Sequence, residues 1–403
     1  MTEWMQTWGQ ATKTGLGFFW KSGWAFVLGY FVSAMIQTFV PKKRLTEYMG
    51  DGKPKSIGLA SAFGAISSSC SFAALSTARA LVLKGARFVE AVAFMFASTN
   101  LVIELGILIV IFLGWEFLIA EIIGGVILIG ISSTLIKQVS PDEWFDQARK
   151  KVEEEAGDLA EDFDWKERIQ SWDGWLRVGR SFVDEWKMVW EEILIGFSIA
   201  GIVAVVVPTN IWEAVFLVGM EGEVAPGWLA LQNALVGPFV AMMTFIGSMG
   251  NIPLATVLSA NGVMFAGIMA FIYSDLVVPP LVLVNREYYG WKVALFIAGI
   301  MYVSMVSTAL LLWWGFEAIG AIPETQRVVE EVTRFKIDYT FWFNLAFAVV
   351  AGVLVWMHRR MRQREETGES SDDSGPGFKR IVAFLFLAVD VGGLTIFAWS
   401  TLG

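Results

Sequence analysis

An all-α, polytopic membrane protein is the fold class that the sequence predicts, and three observations predict it. Of 403 residues, 55% are apolar and only 17% charged, whereas a soluble domain carries about 25% charged residues. Several apolar runs reach the roughly 20 residues that one helix needs to cross a hydrocarbon core of about 30 Å. The residues of most soluble chemistry are scarce. One cysteine (Cys70) and one histidine (His358) exclude an internal disulfide, a multi-cysteine zinc or iron–sulfur site and the usual His-based triads. No GxxxxGK[ST] phosphate loop is present, so nothing points to an ATP-driven pump. The expectation is a non-enzymatic protein without a cofactor.

Eight runs are long enough to span, roughly 18–40, 88–113, 116–136, 189–207, 263–283, 291–314, 340–357 and 378–400. Two further apolar stretches, 56–83 and 229–262, are interrupted at Ser67-Ser68-Ser69-Cys70-Ser71 and at Gly247-Ser248-Met249-Gly250-Asn251-Ile252-Pro253. A dozen residues of helix rise only about 18 Å, so each arm falls short of a span. Both stretches therefore read as re-entrant, broken helical hairpins. Basic clusters at Lys42-Lys43-Arg44, Lys84, Arg87 and Arg359-Arg360-Met361-Arg362 mark the cytoplasmic side and put the Gly114-Trp115 turn outside. Arg327, Arg334 and Lys336 run against this rule, in the company of Glu324, Glu330 and Glu331.

The assignment contains a repeat. Residues 16–138 run span, hairpin, span, span, and residues 189–314 follow the same order, with three full spans per unit inverting the second. The chain divides into a first membrane unit (1–139), an acidic cytoplasmic amphipathic insert (140–187), a second, inverted unit (188–315) and two C-terminal spans joined by a polar linker (316–403). Inverted repeats with discontinuous helices are a secondary-transporter signature. A non-helical break at membrane depth is tolerated only where protein buries it or a wet cavity faces it.

The insert holds 14 Asp/Glu against 8 Lys/Arg, most of the chain's net charge of −9. Its Trp165, Ile169, Trp172 and Leu176 form one helical stripe, continued by Trp175, Phe182 and Trp186. The stripe suits either a helix lying in the membrane interface or a surface helix packed on the bundle. The first apolar run is long enough to remain as a span, so no cleavable signal is expected. The expected setting is the inner or plasma membrane, multi-pass. Expected partners are the bilayer and a small-molecule or ion substrate, with no nucleic acid, and nothing in the sequence sets an oligomeric state.

Candidate site residues gather at the breaks. Ser68, Ser69, Cys70 and Ser71 offer hydroxyls, a thiol and the termini of half-helices, which attract ions of opposite sign. At the second break Asn251 is the polar group, with Pro253 suited to starting a helix. Ser98, Thr99, Asn100 and Glu104 lie in the span after the first hairpin, with Asn100 and Glu104 spaced i, i+4. Asp275 lies in the matching span of the second unit, before Pro279-Pro280, which should unwind or end that helix. A carboxylate at membrane depth costs about 2.5–3.5 kcal/mol on insertion scales and marks an ion or proton path by default. Its structural alternative is a salt bridge to Arg79 or Arg286. Glu90, Glu116 and Glu121 read as interfacial or structural.

Ser69-Cys70-Ser71 with Lys84-Gly85, then Phe96-Ala97-Ser98-Thr99-Asn100-Leu101-Val102-Ile103-Glu104, resembles the predicted permease family that includes the ArsP-like organoarsenical exporters. Gly250-Asn251-Ile252-Pro253-Leu254-Ala255 and Ala270-Phe271-Ile272-Tyr273-Ser274-Asp275-Leu276-Val277-Val278-Pro279-Pro280 share the resemblance, which covers roughly 16–315. It implies an inner-membrane permease with eight spans and a cysteine motif in the first unit. It also associates the chain with export of trivalent organoarsenicals or transition-metal ions. Ser68 stands where those exporters carry a first cysteine, and Ala74 where they carry a proline.

The expected function is a secondary-active permease exporting a metal or metalloid species by alternating access, with its site between the two hairpin tips. Cys70 would be the soft metal ligand, with Asp275 or Glu104 carrying a coupled proton or ion. Two alternatives stay open: a transporter of a small anion or polar organic solute with Cys70 incidental, and a non-transporting assembly or regulatory subunit.

Overall fold

The computed structural model describes residues 3–39, 52–67, 71–83, 86–139, 165–220, 222–244, 247–323, 329–365 and 378–402. All regular structure among these residues is helical. The first half runs from one long helix, α1 (Glu3–Phe39), to a short pair, α2 (Pro54–Ser67) and α3 (Ser71–Leu83). A broken pair follows, α4 (Phe88–Asn100) and α5 (Ile103–Phe112), then a long helix, α6 (Trp115–Val139).

The second half opens with α7 (Trp165–Gln170), the long α8 (Trp172–Val206) and the short α9 (Thr209–Phe216). Its short pair is α10 (Pro226–Thr244) and α11 (Ser248–Ala260). The broken helix is α12 (Phe265–Ile272), a 3-10 turn at Tyr273–Val277 and α13 (Pro279–Tyr289), followed by the long α14 (Trp291–Ala318). The chain ends with α15 (Val329–Val332), α16 (Tyr339–Glu365) and α17 (Phe378–Leu402).

The chain is a polytopic, all-α membrane protein. Six helical units are long and apolar enough to cross a bilayer: α1, α6, α8, Phe265–Tyr289, α14 and the Tyr339–Gln363 part of α16. The α4–α5 pair makes a seventh if counted as one span, and α17 holds a shorter apolar stretch, Val382–Ala398. Every expected run thus has a helix, with one difference. The run 88–113 is bent by 42° between α4 and α5. Ser98 and Thr99 donate their hydroxyls back to the Met95 carbonyl, at 3.0 and 3.1 Å, which competes with the helical ladder. Val102 then turns extended as the N-cap of α5. Asn100 and Glu104 therefore sit on opposite sides of a break, not on one helical face as their spacing suggested.

The first short pair divides where the sequence indicates, with α2 ending at Ser67 and α3 starting at Ser71. The second divides earlier than expected. Gly247 is the N-cap of α11, so Ser248 to Pro253 are helical rather than broken. Pro253 lies in the second turn instead of starting the helix, and it leaves the Met249 carbonyl without its i→i−4 donor.

Of the two readings of the acidic insert, the described residues follow the helix packed on the bundle. The first part of the insert, 140–164, lies outside the described residues. From Trp172 onward it is no separate interfacial helix: it is the first four turns of α8. Leu176 and Phe182 are buried, while Trp165, Ile169 and Trp172 are exposed. Trp175 and Trp186 meet Phe39 and Tyr30 of α1 edge-on. The apolar face extends the bundle instead of facing lipid headgroups.

α1 and α8 form the spine of the molecule. They cross so closely that a Cβ on Gly201 would lie 2.5 Å from the Ala11 carbonyl oxygen and 2.6 Å from the Gly15 nitrogen. Small residues at such crossings let van der Waals contact replace the hydrophobic drive that lipid cannot supply. In the first half α2 and α3 lie along α4, and in the second α10 and α11 lie along α12. The long helices that close each half, α6 and α14, pack on one another.

Each short pair is pinned by one buried polar side chain. Asn233 on α10 donates to the Phe216 carbonyl at 2.8 Å and accepts from the Met264 N–H at 3.2 Å. Glu90, fully buried, accepts the N–H groups of Gly52 and Arg87 at 3.0 and 2.8 Å and the Ser56 hydroxyl. Glu90→Ala would strand those donors at the entrance to α2 and α4. We expect a loss on the order of 3 kcal/mol, read as a lower melting temperature of the detergent-purified protein. Unchanged melting would show that water reaches these donors.

Candidate substrate site

Asp275 lies at the heart of the bundle, in the 3-10 turn between α12 and α13, and all five residues of that turn are buried. The turn follows from the sequence. Pro279 and Pro280 cannot donate backbone hydrogen bonds, so α12 ends, Val278 is extended and α13 begins afresh with Pro279. One carboxylate oxygen, Oδ2, accepts the Ser71 hydroxyl at 3.0 Å; the backbone N–H groups of Asp275 and Leu276 lie close to the carboxylate, and Oδ1 has no partner of normal hydrogen-bond geometry. Ser71 is the first residue of α3. A carboxylate of the second half thus grips the helix that leaves the first break.

Among the described residues no arginine forms an ion pair with Asp275. Arg79 stacks over the Tyr288 ring at 4.3 Å and Arg286 over Trp291 at 4.9 Å, so the salt-bridge alternative is not what the fold adopts.

Asn251, in the first half of α11, is also fully buried, and neither end of its amide has a hydrogen-bond partner. α11 packs against α5, α8 and the turn that carries Asp275. Glu192 of α8 reaches the N-terminus of α11: a Cβ on Gly247 would lie 2.6 Å from its Oε2. A helix N-terminus favours a carboxylate there. Glu192 also acts electrostatically on Asp275. The site therefore gathers two carboxylates, a buried amide and a hydroxyl from four elements.

The C-terminus of α2, before the first break, is reached from α1. Ser33 and Gln37 of α1 approach the carbonyl of Ser67, the last residue of α2, at 3.5 and 3.4 Å. Both also donate to Glu185 of α8, Ser33 at 2.9 Å. Side chains of α1, themselves anchored on Glu185 of α8, thereby reach a helix C-terminus inside the bundle.

Glu121 of α6 forms a second polar centre. It is buried at 1% exposure, and its two oxygens lack a hydrogen-bond partner of normal geometry. The Tyr273 ring ends beside it, with its hydroxyl donating to the Ala120 carbonyl at 3.4 Å. Gly124 makes the room, since a Cβ there would fall 2.1 Å from that hydroxyl. Asp275 acts electrostatically on Glu121. Of its two readings, interfacial or structural, Glu121 is not a solvated side chain: it is buried where α6 meets α14 and the 3-10 turn.

Among the other sequence candidates, Asn100 ends α4, donates to Thr99 at 3.3 Å and leaves its Oδ1 without a partner. Ser98 and Thr99 are buried, with their hydroxyl protons committed to their own helix. Glu104 faces α1: a Cβ on Gly29 would lie 1.7 Å from its Cγ. Pro253 shapes α11 by freeing a carbonyl. Ser68, Ser69 and Cys70 lie outside the described residues.

Residues 7–313 match a protein family described as predicted permease, of the ArsP type. The chain belongs to this family. A curated relative from Mycobacterium tuberculosis (strain ATCC 25618 / H37Rv), named "Putative permease Rv2963", is 35% identical over 327 residues, 78% of this chain and 79% of the relative. No solved structure matches. Membership points to a multi-pass membrane transporter rather than an enzyme, and the buried polar cluster lies within the matched region.

Sequence reasoning missed Glu185, Glu192 and Glu121 as parts of this core. A signal existed for Glu121, which stands alone as a charge between Glu116 and Lys137 in a long apolar run. The depth argument applied to Asp275 fits it equally. Glu185 and Glu192 gave none, because they stand in the charged stretch before the apolar part of α8.

Proposed function

We propose that this permease is secondary-active and works by alternating access, with its substrate and coupling ion bound where the two breaks meet. The observation that carries this reading is Asp275: a fully buried carboxylate, bonded across the two halves to Ser71, in a turn packed on α11, the helix that holds the buried and unpartnered Asn251. Buried polar groups are almost always satisfied, and orphans call for an explanation such as an ion or ligand. The shared order of long helix, short pair, broken helix and long helix supports an inverted repeat, which would let the two halves rock about the site.

Acceptors and carboxylates dominate the described site, so a cationic or hydrogen-bond-donating solute fits it better than an anion. Export of a metal or metalloid species would require Cys70 to supply its thiolate. Among the described residues no group of three His, Cys, Asp or Glu side chains could hold a metal ion. The resemblance to organoarsenical exporters supports the export direction.

The test is flux in proteoliposomes containing the full chain, with an imposed pH gradient and a panel of a soft metal ion, a trivalent organoarsenical, an organic amine and an oxyanion. The proposal expects gradient-driven flux of one of the first three classes and none of the oxyanion. Oxyanion flux would contradict the electrostatics of the site. Absence of gradient-driven flux for the whole panel would favour the non-transporting reading.

A further inference from the structure

Asp390 lies beyond the region matched to the family, which ends at residue 313, and the central site does not use it. It is the middle residue of Val382–Ala398, the apolar stretch of α17. α17 packs on α1 and α8. Trp8 of α1 donates to the Val389 carbonyl at 3.1 Å, and Trp190 of α8 meets Phe384 at 6.1 Å. These contacts set Asp390 half-buried against Ser198 of α8. Its open side lies between Leu387 and Leu394, one turn before and one turn after it on the same helical face. Those leucines are 41% and 37% exposed, so in a membrane-spanning chain that side meets acyl chains.

A charge in that position is costly, and an acid relieves the cost by keeping its proton. Among the described residues no cation forms an ion pair with Asp390. On α1, Lys13 lies over the Phe397 ring, two turns further along α17, and Lys21 pairs with Asp338 at 3.5 Å. On α8, Glu192 reaches the N-terminus of α11, and Glu191, two turns before Ser198, brings only negative charge.

The hydrogen bonds at Ser198 point the same way. Its hydroxyl oxygen lies 2.8 Å from the Leu194 carbonyl oxygen and 2.6 Å from Asp390 Oδ2. A serine hydroxyl has one proton to donate and two lone pairs with which to accept. The Leu194 carbonyl can only accept, so the serine proton serves that bond, a common arrangement for serine inside a helix. The contact to Asp390 is then a hydrogen bond when Oδ2 carries a proton and donates it to Ser198 Oγ. A carboxylate would have to compete with the carbonyl for one proton.

We propose that Asp390 is a proton-binding site in the middle of the bilayer, a neutral acid that donates to Ser198 and is reachable from the lipid. It is separate from Asp275, which lies in the core and bonds to Ser71, and it stands whether or not Asp275 couples transport. A neutral acid facing lipid is the group that a hydrophobic carbodiimide modifies. The acid O–H adds across one C=N bond, its oxygen bonding to carbon and its proton moving to nitrogen. The acyl group then migrates to nitrogen and leaves a stable N-acylurea.

The test treats the full-length protein in phosphatidylcholine nanodiscs at neutral pH with dicyclohexylcarbodiimide. A parallel sample receives a water-soluble carbodiimide with an amine nucleophile, and both are mapped by peptide mass. The expected result is an adduct on Asp390 from the lipid-soluble reagent alone. No adduct there, or labelling by the water-soluble reagent, overturns the proposal. Melting of Asp390→Asn is the second measurement. The amide is neutral and its N–H donates to the same Ser198 oxygen, so this variant should melt as the parent does. A clear rise in its melting temperature would mean that the parent carries a charge in hydrocarbon, and would overturn the proposal as well.

Discussion

Asp275→Asn is expected to lower the initial rate of gradient-driven transport by about 100-fold or more, equivalent to roughly 2.7 kcal/mol, while leaving the protein folded. The two halves of that expectation have different origins. An asparagine has the shape of aspartate and keeps an oxygen to accept the Ser71 hydroxyl, so the bond between the first break and the 3-10 turn survives. What disappears is the group that can exchange a proton or hold a cation at membrane depth. Removing a buried ionisable group costs little stability when its shape is kept. The variant should therefore purify with unchanged elution and melting, and only the flux assay should separate it from the parent. Ser71→Ala provides the graded comparison. It removes one hydrogen bond to the carboxylate and leaves the charge, so a loss of roughly tenfold is expected. Transport by Asp275→Asn at the parent rate would mean that Asp275 is a structural acid.

The largest structural effect is expected at Gly201. A Cβ there would sit 2.5 Å from the Ala11 carbonyl oxygen and 2.6 Å from the Gly15 nitrogen. Both are backbone atoms of α1 that no rotamer change can move aside. Gly201→Ala must therefore push α1 and α8 apart along the spine of the bundle. Overpacking a tight core costs about 1–3 kcal/mol, more when the backbone must shift. Gly201→Leu should not yield folded protein, and Gly201→Ala should melt measurably lower in detergent. Gly299 on α14 supplies the control, because a Cβ there meets nothing within 4 Å. Gly299→Ala should be neutral or stabilising by up to about 1 kcal/mol, the intrinsic helix preference of alanine over glycine. Equal melting of the two alanine variants would show that the crossing is looser than its geometry.

Much of this molecule is written in its apolar runs, because a bilayer accepts only helices whose backbone groups are satisfied within the segment. All eight runs became helices, and the Ser67–Ser71 interruption and the Pro279-Pro280 signal fell where one helix ends and the next begins. What the runs could not reveal is how a helix ends inside the membrane. The bend after Asn100 falls where Ser98 and Thr99 bond back to Met95 and Val102 is extended, in a stretch without the glycine or proline that marks the other breaks. Pro253 was misplaced for a related reason: a proline can occupy the second turn of a helix if its neighbours accommodate the freed carbonyl.

Asp275 and Asn251 were legible as candidates from depth and polarity alone. The partners that give them meaning were not. Ser71 reaches Asp275 across 204 positions of sequence, and Glu185 reaches Ser33 across 152. Such contacts follow from how α1, α8 and the hairpins pack, which no local pattern encodes. Trp165, Ile169 and Trp172 teach the opposite lesson. Their spacing is a sound amphipathic stripe, yet the buried face of that region is set by contact with α1 and passes through Leu176 and Phe182.

The claim on which the account turns is that Asn251 and Asp275 mark a site exposed to each side of the membrane in turn. Its most direct test is thiol accessibility at that position, using Asn251→Cys in a Cys70→Ala background, reconstituted in liposomes. An impermeant maleimide is added from inside or outside under each direction of the pH gradient, and labelling after denaturation confirms that the thiol is present. The account predicts labelling from both sides, with the favoured side reversing when the gradient is reversed. Labelling from one side alone under every condition, or from neither, would contradict it.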